Sequence, residues 1–390
     1  MKEIRQIERA LSLIHQYGGE IPLAMFLRNF FQNHREMGSR DRKNCADLVY
    51  AWYRLGNALL NLNEKERLGI AVFLTSAESN DVKNFLVSQF SPLKVLNIKL
   101  NISERIKLVT EVYPAFKIED LFPFEEKLSA SIDKENYALS MLMKPLTWIR
   151  VIDSKLTEIK TIFDDKGISF VDEGNRLGIP GGSSLENLGF KKEWYEVQDR
   201  SSQLSGDIYK PQEDELWYDC CAASGGKSLL LHSMEPTVKL TVSDNRESIL
   251  KNLSNRFTVN GIKNYSVVVA DLETASPSKL QSIKFDGIIA DVPCSGSGTW
   301  SRSPEHLTFF KAEEINSYVS RQKKIITNIA DLLKPGKPLI YSTCSVFYEE
   351  NEGVVAYICS QLGFTCEKQH IIEGYHQKAD TMFVSRLVKM

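Results

Sequence analysis

What this 390-residue chain lacks narrows its class before any motif is read. No window approaches the ~18 uninterrupted apolar residues of a membrane-spanning helix. The first stretch, MKEIRQIERALSLIHQYGGE, carries charges where a secretory signal needs an apolar run, so a cytoplasmic protein with no membrane partner is expected. Seven cysteines stand at irregular spacing without a Cys-x-x-Cys pair. That pattern speaks against a disulfide framework and against a structural zinc site, leaving reduced thiols and no metal as the expectation. There is no basic excess either: 48 Lys and Arg face 50 Asp and Glu, a net charge of -2, so any nucleic-acid contact must come from local clusters. Neither an internal repeat nor a low-complexity segment is present. What remains, 43% hydrophobic and 25% charged residues, is ordinary for a globular protein of two or three domains.

Up to about residue 122 the apolar residues recur at three- and four-residue spacing, in IERALSLIHQY, LAMFLRNFFQ and CADLVYAWYRLGNALL, which predicts an all-α domain over 1–122. Within it Gly38-Ser39-Arg40-Asp41-Arg42-Lys43 reads as a polar turn entering a helix, with Ser39 or Asp41 as cap. Arg40, Arg42, Lys43 and Arg54 form a candidate phosphate-facing patch, with a solvated helix entry as the plain alternative. Between 123 and 205 the segments shorten. LTWIRVI and ISFVD read as strands around a helix at 154–166, and a glycine-rich bend follows at IPGGSS, giving a small α/β linker domain. GFKKEWYEVQDRSSQLSGD then mixes aromatic and basic residues, suited to stacking and pairing with RNA or to ordinary packing of Trp194 and Tyr195.

Over 206–390 strands and helices alternate, from LWYDC through VKLTVSD, YSVVVAD, FDGIIAD and PLIYSTC to MFVSRLV. Such alternation predicts a mostly parallel sheet covered by helices on both faces. Five of these strands end in Asp or Cys. Ligands of such sheets bind outside the carboxyl ends of the strands, so Asp291, Cys294 and Cys344 are candidates for one site. After the first strand, Asp219 to Ser228 (DCCAASGGKS) opens a helix, where small residues let a ligand approach the backbone and amides favour polar groups. A phosphate-binding Gly-x4-Gly-Lys-Ser loop is the competitor, but its first glycine position is Cys221. Asp244, about 20 residues on, ends the second strand, where an acidic residue binds ribose hydroxyls. Asp271 ends the third strand and Asp291 the fourth. Carboxylates around an adenosine with a cationic sulfonium suit S-adenosylmethionine better than a triphosphate, whose charge they repel.

DCCAASGGKS, ADVPCSGSGTWSRSPE and YSTCSVFYEENE together resemble the motifs of the Sun/Nop2 (RsmB/NOL1) RNA cytosine-5 methyltransferases, in both order and spacing. The resemblance covers about 190–390, while SRDRKNCADLVYAWYR resembles the Arg-Asp-Arg helix of NusB-like RNA-binding domains. Together they imply an α/β fold: a Rossmann-like S-adenosylmethionine-dependent methyltransferase domain, an all-α NusB-like N-terminal domain and a small α/β linker.

The resemblance also implies roles. Cys344 is the nucleophile that adds to C6 of a cytosine, Asp291 hydrogen-bonds N3 and delivers or shares a proton, and Cys294 assists removal of the C5 proton and release of Cys344. Cofactor contacts fall on Cys221, Ala222, Ala223, Ser224, Gly225, Gly226, Lys227, Asp244, Asp271 and Asp291. Arg302 joins Arg40, Arg42 and Lys43 as an RNA contact. Glu350, Asn351 and Glu352 organise the loop behind Cys344, and Gly296 and Gly298 leave space beside a flipped-out base. Two positions depart from the family pattern. Ser224 stands where proline is usual, which predicts a less rigid cofactor loop, and Ile249 replaces an arginine. The expected partner is ribosomal RNA, acted on by a monomer. Transfer RNA, a non-catalytic assembly role and a nucleotide triphosphatase are the alternatives.

Overall fold

The computed structural model describes residues 2–181 and 185–390, with only the backbone of Glu186. Gly182, Ser183 and Ser184 of the expected bend lie outside the described residues. The chain divides into two compact units: Met1–Glu126, Asp133–Lys144 and Trp300–Lys311 form the first, and Lys127–Ile132, Pro145–Thr299 and Ala312–Met390 the second. Three domains with boundaries near 122 and 205 are therefore not what packing draws. Most of 123–205 joins the sheet-bearing unit, and 300–311 joins the helical one. Aromatic packing accounts for the second difference, since Trp300 lies against Phe122 and Phe124 and Phe310 against Phe124, with ring centroids 5.6–5.8 Å apart.

The first unit is helical: α1 (Lys2–Gln16), α2 (Leu23–Asn33), α3 (Ser39–Arg54), α4 (Glu64–Thr75), α5 (Asp81–Phe90), α6 (Ile102–Val112), α7 (Lys134–Ser140) and a short α12 (His306–Phe309). Their starts follow local chemistry. Asn63, Asn80 and Asp133 accept from first-turn amides, and Asn101 forms a capping box with Glu104. α1 buries Ile7, Ala10, Leu11 and Ile14, the expected apolar stripe. The cap of α3 is Gly38 rather than Ser39 or Asp41, and the Asp41 carboxylate instead accepts from Gln6 Nε2.

Buried arginines tie the helical unit together. Arg67 donates to the carbonyls of Ala58 and Gly56, and Arg105 to those of Phe73 and Ser76. Arg54, read as part of a phosphate-facing patch, does the same: its guanidinium donates to the carbonyls of Met141, Met143 and Ser301 at 2.8–2.9 Å. A cation so enclosed has no face for RNA.

The second unit carries two sheets. β1 (Thr147–Val151), β2 (Val171–Glu173), β3 (Arg176–Ile179) and β4 (Tyr195–Val197) form a small antiparallel sheet in the order β2-β3-β1-β4, backed by α8 (Leu156–Asp165). α9 (Arg200–Leu204) leads into the larger sheet. This contains β5 (Leu216–Asp219), β6 (Lys239–Asp244), β7 (Tyr265–Val269), β8 (Gly287–Asp291), β9 (Pro338–Thr343), β10 (Phe364–Ile372) and β11 (Met382–Lys389), in the order β10-β11-β9-β8-β5-β6-β7. β9, β8, β5, β6 and β7 run parallel, and β11 and β10 close one edge antiparallel. Helices α10 (Gly226–Met234), α11 (Glu247–Val259), α13 (Glu314–Ala330) and α14 (Glu352–Leu362) cover the sheet.

This is the Rossmann-like arrangement expected. β8 and β9 are covered on both faces up to their polar carboxyl ends, and every residue of Pro338–Thr343 is buried. The order reverses between β5 and β8, and that switch point opens a crevice at the carboxyl ends of the strands. Among the described residues no helix is long and apolar enough to cross a membrane.

Candidate active site

Parallel register builds the first half of the site. Asp291 at the end of β8 lies opposite Ser342 of β9, and Ser342 Oγ donates to Asp291 Oδ1 at 2.8 Å. The other carboxylate oxygen lies 3.2 Å from Lys227 Nζ, whose side chain is only 8% exposed and which also donates to Ser202 Oγ at 2.8 Å. Lys227 thus connects the loop after β5 to the carboxylate after β8, and a merely solvated helix start does not describe it. Two residues beyond Ser342, strand alternation carries Cys344 to the same side. Its Sγ sits 3.3 Å from Cys294 Sγ.

The two thiols are held by a buried polar hub. Glu350, fully buried, accepts from Ser295 N and Gln322 Nε2 at one oxygen (2.9 Å each) and from Ser295 Oγ and Ser345 Oγ at the other (2.5 and 2.6 Å). Its neighbour Asn351 accepts from Thr343 Oγ1 and donates to Ser129 Oγ and Ser345 O. The residue beside each cysteine is therefore fastened to the same carboxylate. Burial pushes Glu350 up from the usual carboxylate range, and its four donors act against that. The Cys344 thiol, burial and the charges of Cys344 and Glu350 together push the Cys294 thiol well up, so Cys294 keeps its proton in the resting pair.

Gly298 is explained differently from the sequence expectation. A Cβ there would come within 1.9 Å of the Thr381 carbonyl oxygen, and Gly298 bonds by its N–H to Cys344 O and by its own carbonyl to Thr381 N. The space is taken by backbone rather than left for a base. Gly296, at φ +69°, has only Thr299 Oγ1 near its Cβ direction, at 3.6 Å.

The stretch expected to hold the cofactor runs from Cys221 to Lys227. Ala222 N donates to Ser243 O, Ala223 N to Asp244 Oδ2 at 3.1 Å, and Gly225 N to Ala222 O. Ala223 and Gly225 both have positive φ, +45° and +86°. At Gly226 an added Cβ meets nothing nearer than Gln198 Nε2 at 4.0 Å, so the backbone is open to a ligand. The Asp244 carboxylate is also gripped by Arg246 at 2.9 and 3.1 Å; against the raising effect of burial, this arginine holds Asp244 below the usual range. A hydroxyl-bearing ligand at Asp244 would have to share or displace Arg246, which is 59% exposed. Asp271 is exposed and accepts from Glu273 N and Thr274 Oγ1 in its own loop.

Asp219 was not among the expected contacts. It is 1% exposed, accepts from Ser228 Oγ at 2.6 Å, and its Oδ1 makes no hydrogen bond beyond a weak approach of the Cys221 N–H. Such an orphaned oxygen under the loop fits a polar ligand group, and the strand-end DCC motif was the available signal. Burial pushes Asp219 from 3.8 up to about 7. Between those values the unfolded chain ionises the carboxyl while the folded chain keeps the proton, so stability falls as pH rises through that window. Asp219→Asn removes the ionisation. Its stability relative to wild type is expected to rise by roughly 2–4 kcal/mol between pH 4 and pH 8 in urea unfolding. A pH-independent difference contradicts this account.

The candidate RNA contacts differ among themselves. Arg40 is exposed, Lys43 pairs with Glu78 at 3.1 Å, and Arg42 is half-buried with its guanidinium on the carbonyls of Met37 and His34. Arg302 is half-buried in the helical unit. Trp194 and Tyr195 pack on Phe190 in the small sheet, and Lys155 Nζ lies 4.4 Å from the Trp194 ring centroid. A separate cavity of about 380 Å³, bordered by Arg150, Arg176, Gln203 and Met234, contains none of the residues named from the sequence.

Comparison with known proteins adds to this geometry. Residues 207–386 match the family model described as 16S rRNA methyltransferase RsmB/F. Ribosomal RNA small subunit methyltransferase B of Proteus mirabilis is 31% identical over 254 residues, 63% of this chain and 60% of that protein. The enzyme of the same name from Vibrio cholerae is 32% identical over 163 residues, 42% and 37% of the two chains. The matched region thus spans 60% or less of the length of these curated relatives. Among solved structures, PH0851 superposes with a TM-score of 0.70 at 20% identity, covering 100% of this chain and 98% of that one. NSun6 from Pyrococcus horikoshii with SFG does so with 0.58 at 17% identity, covering 68% and 97%. At these identities the superpositions speak for the fold.

Proposed function

Residues 207–386 match the RsmB/F methyltransferase family model, and from that match we propose that the chain is a member of this family and methylates C5 of a cytidine in ribosomal RNA. The observation that carries the reading is the pair of thiols 3.3 Å apart on two adjoining loops, next to a carboxylate that Lys227 links to the cofactor loop. Cytosine C5 is a weak carbon nucleophile. Addition of the Cys344 thiolate to C6 turns it into an enamine carbon, splitting one hard step into easier ones. Asp291, oriented by Ser342 and Lys227, faces N3 and shares a proton as charge moves into the ring. S-adenosylmethionine, when bound, supplies the methyl group.

The remaining work belongs to Cys294. Addition of Cys344 to C6 removes the partner that most raises the Cys294 thiol, so Cys294 then releases its proton to solvent and its thiolate accepts the C5 proton. The C6–S bond then breaks with its electrons returning to Cys344. Asp244 is the candidate for the ribose and the loop from Cys221 to Lys227 for the rest of the cofactor, with Asp219 beneath it. A nucleotide triphosphate is disfavoured by the carboxylates of Asp219, Asp244 and Asp291 around that loop.

The test is incubation of the purified protein with methyl-labelled S-adenosylmethionine and, separately, small-subunit ribosomal RNA and transfer RNA, followed by digestion to nucleosides. Label in 5-methylcytidine from the ribosomal RNA is expected. Label only from transfer RNA changes the substrate class, label in another nucleoside overturns the chemistry, and no label with cofactor bound favours a scaffold role.

A further inference from the structure

The loop from Cys221 to Lys227 holds a non-glycine residue, Ala223, in the left-handed region at φ +45°. Such a conformation costs about 1–2 kcal/mol and persists only where the surroundings over-determine it. Asp244 fixes one side of the loop through Ala223 N. The other side rests on α11. Leu253 and Phe257 of that helix lie directly beneath Gly225, where a Cβ would meet them at 3.0 and 2.9 Å. From the same helix Arg256 Nη1 donates to both the carbonyl oxygen and the hydroxyl of Ser224, at 2.7 and 2.9 Å.

Arg256 is itself anchored. Its Nη2 donates to Glu196 Oε2 at 2.5 Å, and Asn260 Nδ2 donates to the other Glu196 oxygen at 2.6 Å. The pair is largely shielded, with side chains 29% and 14% exposed. Glu196 belongs to β4 of the small sheet, one residue before Val197. A planar guanidinium thus spans three acceptors on two segments, which an ammonium on a flexible stem cannot do. Ser224 is also the position at which the sequence departs from proline, so rigidity that a ring would build into the backbone has to come from outside it.

We propose that Arg256, anchored by Glu196, is a positioning residue that presets the cofactor loop through Ser224 without touching the cofactor. This rests on the assignment of the loop to S-adenosylmethionine. Free of the clamp, the loop spreads over more conformations, and binding must reorder it before the ligand gains its contacts. The loss therefore falls on cofactor affinity rather than on the chemical step.

The test measures S-adenosylmethionine binding by calorimetry, together with KM and kcat for methylation, in wild type, Arg256→Ala, Arg256→Lys, Glu196→Gln and Ser224→Ala, with circular dichroism as the folding control. Arg256→Ala is expected to raise Kd and KM for the cofactor by about 10- to 100-fold and to leave kcat at saturation within about threefold. Arg256→Lys recovers little of this. Ser224→Ala keeps the carbonyl acceptor and weakens binding by only about threefold. A folded Arg256→Ala that binds within twofold of wild type, a full rescue by lysine, or a loss confined to kcat overturns the clamp. Should Arg256→Ala not fold, Glu196→Gln carries the same test, with a fall of about three- to tenfold expected and unchanged affinity overturning the proposal. If wild type binds no S-adenosylmethionine, the cofactor assignment fails and the clamp with it; if wild type binds and the variants match it, the clamp alone fails.

Discussion

Replacing Cys344 by alanine is expected to lower methyl transfer by on the order of 10⁴-fold or more, while Cys294→Ala accumulates a covalent protein–RNA adduct. The two thiols are 3.3 Å apart, so geometry alone treats them nearly alike. Their surroundings do not. The Cys344 hydrogen bond, burial and the charge of Glu350 raise the Cys294 thiol, which agrees with the roles the family resemblance implies, Cys344 adding first and Cys294 serving as base. Without Cys344 no sulfur reaches C6 and the ring stays inert. Without Cys294 addition and methyl transfer proceed, but the C5 proton stays and elimination stalls with the C6–S bond intact. Denaturing electrophoresis of labelled ribosomal RNA with each variant and with the double variant checks this. An adduct formed by Cys344→Ala and absent from Cys294→Ala reverses the two assignments.

The parts of the site legible in the sequence are those whose geometry is local. Strand alternation relates Ser342 to Cys344, and a glycine-rich loop after β5 needs only its own residues to be recognised. The largely apolar runs of β8 and β9 announce a sheet covered on both faces. β10 went unread because it is an edge strand: FTCEKQHII exposes most of its middle and shows no clean alternation. Destinations set by distant partners were hidden as well. Arg54 looks like one more cation beside Arg40 and Arg42, yet its acceptors are carbonyls 87, 89 and 247 residues away. Gly298 reads as room for a base until Thr381 occupies that room. Arg256 carries no motif at all, and its meaning comes from Ser224, 32 residues earlier, and Glu196, 60 residues earlier.

Glu350 shows the same principle at its largest energetic scale, and Glu350→Ala is expected to cost roughly 2–4 kcal/mol of stability and on the order of 10²-fold in kcat. Taken alone, Glu350-Asn351-Glu352 is an acidic run like any solvated helix start, and only the family resemblance assigns it to the loop behind Cys344; the carboxylate is buried under four donors. Removal does not strand all four. The hydroxyls of Ser295 and Ser345 lie 3.1 and 3.2 Å from Ser297 Oγ, and Gln322 Nε2 also reaches Pro293 O at 3.0 Å, so these groups can re-pair. Ser295 N fastens to the same carboxylate the segment that carries Cys294. Displacing that thiol by about 1 Å is enough to lose the alignment of base and adduct. Glu350→Gln separates charge from shape. One Glu350 oxygen takes only N–H donors, Ser295 N and Gln322 Nε2, while the other takes only hydroxyls, which accept as readily as they donate. Glutamine therefore fits with its oxygen on the amide side and its NH₂ on the serines. It also removes the cost of a carboxylate pushed up by burial. Its stability is expected within about 1 kcal/mol of wild type and its kcat within about tenfold. Urea unfolding and single-turnover methylation of the two variants check the pair of values. Equal losses in Ala and Gln would show that charge, rather than the fastening of the two cysteine loops, is what Glu350 contributes.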